Sequence, residues 1–345
     1  MRQWRRSELR SLRFRGFRKS RESSVLLRDS SSPSETLGVS FGLRGNEETN
    51  CRVGLRPPRN DGMGTARRWR GYMKTLYVSD LDGTLLRSDE RTSEETNRVV
   101  NELVRRGGSF TYATARSYFT ARKVTAGLTA AFPVIVYNGA FVRDNATGKL
   151  LLRSTFHQDE ARALVRELLE ADIFPIVYAL IREEEKFTYL PARINPPTQA
   201  FILSRKGDAR DRPAEAAAEL TEGEIFYVTS IDSEEKLLPF FEKYREVHHC
   251  VYAKEYYSGD QWLEIMPREA TKANAAGKLK ELYGFDRVVA FGDGRNDLDL
   301  FRFADEAYAV ANADPALKAA ATAVIDSNDA DGVAKWLEEH APELR

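Results

Sequence analysis

Four carboxylates carry the first chemical signal in this chain. Asp80 and Asp82 stand two apart in Asp80-Leu81-Asp82-Gly83-Thr84, directly after the apolar run Thr75-Leu76-Tyr77-Val78-Ser79. Asp293 and Asp297 lie in Gly292-Asp293-Gly294-Arg295-Asn296-Asp297, directly after Arg287-Val288-Val289-Ala290-Phe291. In open parallel sheets, ligands bind beyond the carboxyl ends of the strands, and all four carboxylates fall at such ends. Two like charges about 4 Å apart repel by about 4 kcal/mol at an effective dielectric of about 20. Side chains fixed at strand ends cannot spread apart, so a divalent cation resolves the conflict. An all-oxygen donor set without Cys or His points to Mg²⁺, which also binds phosphate oxygens.

The neighbouring residues suit an anion. Thr114 ends another apolar run and offers a hydroxyl, with backbone N–H groups near a helix start. Lys272 sits in the first turn of a helical stretch behind the cap residue Thr271, adding a fixed cation to the helix dipole. Phosphoryl transfer depends on this kind of positioning and charge stabilisation. A carboxylate can attack phosphorus. A second one, two residues on, can protonate the leaving oxygen and deprotonate the attacking water.

The elements that must hold these residues alternate. Thr75–Ser79 reads as a strand. A helix follows with Thr92-Ser93-Glu94-Glu95 as a capping box, Thr92 being the cap, and Val99, Val100, Leu103 and Val104 as its apolar face. Phe110–Ala113, a helix from about Ser117 to Gly127, and Val134–Tyr137 closed by Asn138-Gly139 complete a parallel α/β pattern. Residues 157–263 break it with paired strands and two amphipathic helices, and read as an inserted α+β domain. The alternation resumes with the helix behind Thr271, strands at 287–291 and 306–310, a helix from Pro315 and a last strand near Val324-Ile325.

Composition divides the chain further. Lys plus Arg and Asp plus Glu each number 52, for a net charge of zero. Residues 1–72 hold 17 basic residues against seven acids, a net of +10; the remaining 35 against 45 give −10. The first 72 residues show no sustained apolar period, so they read as a disordered Arg-rich extension. A start assigned too early, with Met73 as the true beginning, and a targeting or polyanion-binding arm are the other readings. No run is long and apolar enough to span a membrane. Two cysteines, Cys51 and Cys250, build no disulfide framework, so a reducing, cytoplasmic compartment is expected.

Singly these motifs are weak: an Asp-x-Asp pair is usually a solvated turn, and a lone lysine usually lies on the surface. Together and in order they resemble the haloacid dehalogenase (HAD) superfamily. Asp80-Leu81-Asp82-Gly83-Thr84-Leu85-Leu86 looks like its first motif, Thr114 its second, Lys272 its third and Gly292–Asp297 its fourth. The insert is similar to the large α+β cap of the Cof-like phosphatases, as are Tyr137-Asn138-Gly139-Ala140 and Leu263-Glu264-Ile265. The resemblance implies a parallel Rossmann-like core sheet, helices on both faces, formed by 73–156 and 264–345, with the cap at 157–263. It implies Asp80 as nucleophile and Mg²⁺ ligand. Asp82 would be the general acid/base and give Mg²⁺ its backbone carbonyl, with Asp293 and Asp297 as further metal ligands. Thr114, the Ala115 N–H, Lys272 and Asn296 would hold the phosphate. Ala115 and the Thr271-Lys272-Ala273 context depart from the commoner Gly and Ser-Lys-Gly patterns, which bears on substrate fit.

The expected activity is a Mg²⁺-dependent phosphatase of small phosphorylated metabolites, sugar phosphates or phosphorylated cofactors, acting through an aspartyl-phosphate. No nucleic-acid or membrane partner is expected. A phosphosugar mutase on the same fold and a polyanion-binding protein acting through the basic tail remain the alternatives. Arg116 and Asn138 are placed near the substrate; for Arg116, a structural ion pair serves equally. Tyr252, Tyr256, Tyr257 and Trp262 either line the cap's substrate face or pack in its core.

Overall fold

The computed structural model describes residues 73–254 and 260–345. The extension at 1–72, together with Tyr256 and Tyr257, lies outside the described residues.

In chain order the first half contains β1 (Thr75–Ser79), α1 (Glu94–Arg105), β2 (Ser109–Tyr112), α2 (Tyr118–Val124), β3 (Pro133–Val136), β4 (Phe141–Asp144) and β5 (Leu150–Arg153). Next come α3 (Gln158–Glu170), β6 (Ile176–Ile181), β7 (Glu184–Tyr189), α4 (Pro196–Leu203), β8 (Asp211–Pro213), β9 (Glu224–Asp232), α5 (Glu234–Tyr244), β10 (His249–Lys254) and β11 (Gln261–Met266). The chain ends with α6 (Lys272–Tyr283), β12 (Arg287–Gly292), α7 (Leu298–Phe303), β13 (Glu306–Val310), α8 (Pro315–Ala320), β14 (Ala323–Ile325) and α9 (Gly332–His340).

The core sheet has the order β14-β13-β12-β1-β2, and all its pairings are parallel. A single parallel bridge between Ala113 and Ile135 continues it toward β3. β1 is buried along its whole length, as a central strand of a parallel sheet covered on both faces must be. β1 and β12 lie side by side with Ser79 opposite Phe291. Their carboxyl ends therefore release Asp80 and Asp293 at neighbouring points, which is the juxtaposition the sequence pattern required.

The second sheet has the order β10-β11-β9-β6-β7-β8 and is antiparallel apart from the β7–β8 pair. Its strands alternate between two apolar clusters, as period-two side chains do. Val177, Ala179, Val228 and Leu263 pack with α3 and α5 residues such as Leu164 and Leu237. Ile176, Tyr178, Leu180 and Tyr227 join the cluster continuous with the core sheet. The cap thus shares its second face with the core. Strand β11 runs through the expected 263/264 boundary and stays paired to β9 or β10 as far as Met266. We place the return to the core after Met266.

Three local expectations differ from the structure. Ser93, not Thr92, caps α1: its Oγ accepts the Thr96 N–H at 2.9 Å. Glu95 turns instead to Arg98, at 2.6 and 3.0 Å. A cap side chain serves an N–H two or three residues on, and Val99, Val100 and Leu103 are the apolar residues that α1 buries. Helix α4 was not anticipated, although Asn195 caps it and Pro196 and Pro197 open it, a recognisable helix start. Helix α9 was also missed; its Trp336 packs edge-on against Phe291 at 5.1 Å. None of the described helices is long and apolar enough to cross a membrane.

Candidate active site

The chain leaves β1 at Asp80, whose N–H bonds Phe291 O at 2.9 Å, and turns sharply at Gly83. Gly83 has φ +73°, and a Cβ there would stand 2.3 Å from Asp293 Oδ2. No other residue type combines that conformation with that approach. The turn brings Thr84 Oγ1 to donate to Asp293 Oδ1 at 3.1 Å. After β12 the chain curls so that Asp297 Oδ2 accepts the N–H groups of Asp293 and Gly294, at 3.2 and 3.1 Å. Carboxylate oxygens of Asp80, Asp293 and Asp297 lie within 4.8 Å of one another.

Lys272 enters this group from the start of α6, where Thr271 Oγ1 accepts the Asn274 N–H at 3.0 Å. Its Nζ donates to Asp80 Oδ1 at 2.6 Å and to Asp297 Oδ1 at 2.7 Å. Lys272, Asp80 and Asp297 are all buried. Burial opposes the lysine's charge, but the Asp297 and Asp80 carboxylates outweigh it and hold the ammonium protonated. Burial also pushes the Asp80 carboxyl well above its usual range against the pull of Lys272. Asp293 moves the same way, through burial and the Asp297 charge.

Three carboxylates against one ammonium leave two formal negative charges in excess. Hard oxygen donors with that residual charge fit one divalent cation. Asp82 is not in this cluster. Its carboxylate is half exposed and is gripped by Arg116, with Nε at 2.9 and 3.0 Å and Nη2 at 2.5 Å.

Thr114 is buried; its Oγ1 accepts the Arg116 N–H at 3.1 Å, and its carbonyl accepts the Asn138 N–H at 2.9 Å. Ala115 is exposed beside it. Asn138 has φ +53° and is buried, yet its Oδ1 has no hydrogen-bond partner among the described residues. Asn296 is exposed on the turn that carries Asp297. The structure therefore joins Asp80, Asp293, Asp297 and Lys272 directly. Thr114, Arg116, Asn138 and Asp82 form a second set linked to one another, and Asn296 lies beside Asp297 on its turn.

The cap meets the second set through Tyr137. Its ring lies 5.0 Å from Phe226 and 5.8 Å from Tyr227. Its hydroxyl donates to Glu185 Oε2 at 3.1 Å and accepts from Arg210 Nη1 at 2.6 Å. Gly139 allows the same loop to touch α6, since a Cβ there would fall 2.2 Å from Thr271 O. Of the cap aromatics, Tyr252 stacks on Phe241 at 4.7 Å, within the cluster under α3 and α5. Trp262 packs edge-on against Phe201 at 5.1 Å.

Several supporting residues escaped the sequence reading. Thr84 was visible within the Asp-Gly-Thr run. Glu90, which bonds Arg116 at 3.1 Å, and Asn312, whose Nδ2 bonds Gly83 O at 2.7 Å, carry no local signal.

Comparison with known proteins gives a consistent picture. The family model described as haloacid dehalogenase-like hydrolase matches residues 77–337. The 5-amino-6-(5-phospho-D-ribitylamino)uracil phosphatase YitU of Bacillus subtilis is 26% identical over 276 residues, covering 77% of this chain and 97% of its own. YbjI of Escherichia coli, which bears the same enzyme name, is 26% identical over 290 residues, with 77% and 97% covered. Among solved structures, TM0651 from Thermotoga maritima superposes with a TM-score of 0.64 at 24% identity, covering 78% of this chain and 98% of its own.

Proposed function

Because the chain belongs to the haloacid dehalogenase-like hydrolases and is a phosphatase of that family, we propose that it hydrolyses small phosphomonoesters through an aspartyl-phosphate on Asp80. The observation that carries this reading is the buried Lys272 ammonium, 2.6 Å from Asp80 and 2.7 Å from Asp297. It presents one carboxylate at a strand end beside fixed positive charge.

In the first step an Asp80 oxygen bonds phosphorus while the bond from phosphorus to the leaving oxygen breaks. The leaving alcohol takes its proton from Asp82. In the second step water attacks phosphorus and returns its proton to Asp82. The bond to Asp80 then breaks, and inorganic phosphate departs. Thr114, the Ala115 N–H, Lys272 and Asn296 hold the phosphoryl oxygens. Asp80, Asp293 and Asp297, with the Asp82 carbonyl, would hold Mg²⁺, which supplies charge neutralisation to those oxygens. Asn138, whose buried Oδ1 has no hydrogen-bond partner among the described residues, lies near the substrate in this reading.

Several relatives are named for a phosphorylated ribitylaminouracil, so that compound heads the substrate panel, followed by sugar phosphates and phosphorylated cofactors. Among the described residues Cys250 has no disulfide partner, and burial pushes its thiol up to about 12; a cytoplasmic location is part of this proposal.

Release of inorganic phosphate across this panel tests the proposal. Turnover should vanish in EDTA and return with Mg²⁺. Full activity in chelator would reject the metal site, and conversion of a sugar phosphate to its isomer without free phosphate would reject hydrolysis.

A further inference from the structure

The Arg116 side chain ties together the loops that follow β1 and β2, two paired neighbours of the core sheet. Its backbone is fixed on the Thr114 side: the N–H donates to Thr114 Oγ1 at 3.1 Å, and its carbonyl accepts the Tyr137 N–H at 3.0 Å. Its head is fixed on the Asp82 side, with Nε and Nη2 engaging both carboxylate oxygens. Nη2 also reaches Glu90 Oε2 at 3.1 Å. Glu90 holds φ +59° in the turn where its N–H bonds Arg87 O at 2.9 Å.

Asp82 is 48% exposed, so nothing in the packing prevents its carboxyl from swinging into solvent. A partly exposed ion pair contributes little to stability, but a planar guanidinium fork dictates the orientation of the carboxyl it grips. A general acid acts only within hydrogen-bond reach of the oxygen it serves, and small misplacements cost large factors in rate.

We propose that Arg116 is a positioning residue for the proton transfer, with Glu90 as the second anchor of its fork. This rests on the reading of Asp82 as general acid. One Asp82 oxygen stays on the fork while the other carries the proton. As the bond from phosphorus to the leaving oxygen breaks, the electron pair goes to that oxygen, which takes the proton.

A leaving group that departs as a stable anion needs that proton little; a poorer one needs it fully. The test therefore compares kcat/KM for phenyl phosphate and p-nitrophenyl phosphate, which differ little in shape. This parameter ends at loss of the leaving group, so the later attack of water does not enter it. R116A should lose on the order of tenfold more on phenyl phosphate than on p-nitrophenyl phosphate. Glu90→Gln should shift the ratio less, in the same direction. Added guanidinium should restore R116A on phenyl phosphate preferentially. Arg116→Lys keeps the charge without the fork and should show the same ratio change, so it carries the comparison if R116A does not fold. Asp82→Ala sets the full effect. If Asp82→Ala separates the two esters and the Arg116 variants slow both equally, the positioning role is wrong and the acid reading survives. If Asp82→Ala does not separate them, the acid reading falls and the proposal falls with it.

Discussion

Lys272 reaches Asp80 across 192 positions of the chain, Nζ standing 2.6 Å from Oδ1 with both groups buried. The same ammonium serves Asp297 at 2.7 Å. Taking such charges out of water is costly, and close, well-directed contact is what offsets it. Removing one partner leaves the others uncompensated.

Lys272→Met should therefore destabilise the fold by about 3–5 kcal/mol and remove phosphate release. Added Mg²⁺ should raise the melting temperature of this variant more than that of the wild type, because two buried carboxylates regain a cation. A variant that melts with the wild type would show that the pair contributes nothing to stability.

Asp80→Asn keeps the side-chain volume and removes one of three crowded negative charges. Turnover should fall by about 10³-fold or more, while the melting temperature stays level or rises. Appreciable phosphate release from D80N would reject the nucleophile.

Gly83→Ala places a methyl 2.3 Å from Asp293 Oδ2 at φ +73°. Both the clash and the conformation oppose it, so a loss of about 1–3 kcal/mol is expected. Turnover should fall as well, since Asp293 must leave its present place in the carboxylate cluster. A calorimetric scan alongside kcat at saturating Mg²⁺ separates the two effects. Unchanged values for both would show that the turn has room to adapt.

Asp331 ties the loop beyond Gly83 to the start of α9, accepting from Arg87 Nε at 3.0 Å and Thr96 Oγ1 at 3.4 Å. Burial opposes its charge, but hydrogen bonds from Arg87 and Ser93 outweigh that and hold the carboxyl below the usual range. A lowered folded value gives stability that is present above the unfolded value and lost as pH falls through the folded one. Below about pH 4 the wild type should lose stability more steeply than Asp331→Asn. Parallel melting curves down the acid limb would reject this linkage.

Much of the site was legible because its residues follow strands. Asp80, Thr114, Asn138 and Asp293 each terminate a short apolar run, and a parallel sheet brings such ends together whatever lies between them. Lys272 was legible through Thr271, since a cap residue marks a helix start wherever it occurs. Helix α4 shows a missed local signal, as Asn195 and the two prolines were readable. Helix α9 is different, because its place is decided by what Trp336 packs against.

Sequence alone determined the types of reacting groups, their order and the alternation that carries them, because strand ends and helix caps are local consequences of residue type. The tertiary structure decided which charge meets which. It gave Arg116 to Asp82 and Glu90, carried the cap sheet through to Met266 and left Asn138 Oδ1 buried without a hydrogen-bond partner among the described residues. Those outcomes depend on the distance between side chains from separate loops and from different sheets. No spacing along the chain encodes such a distance; it exists only once the sheets have packed.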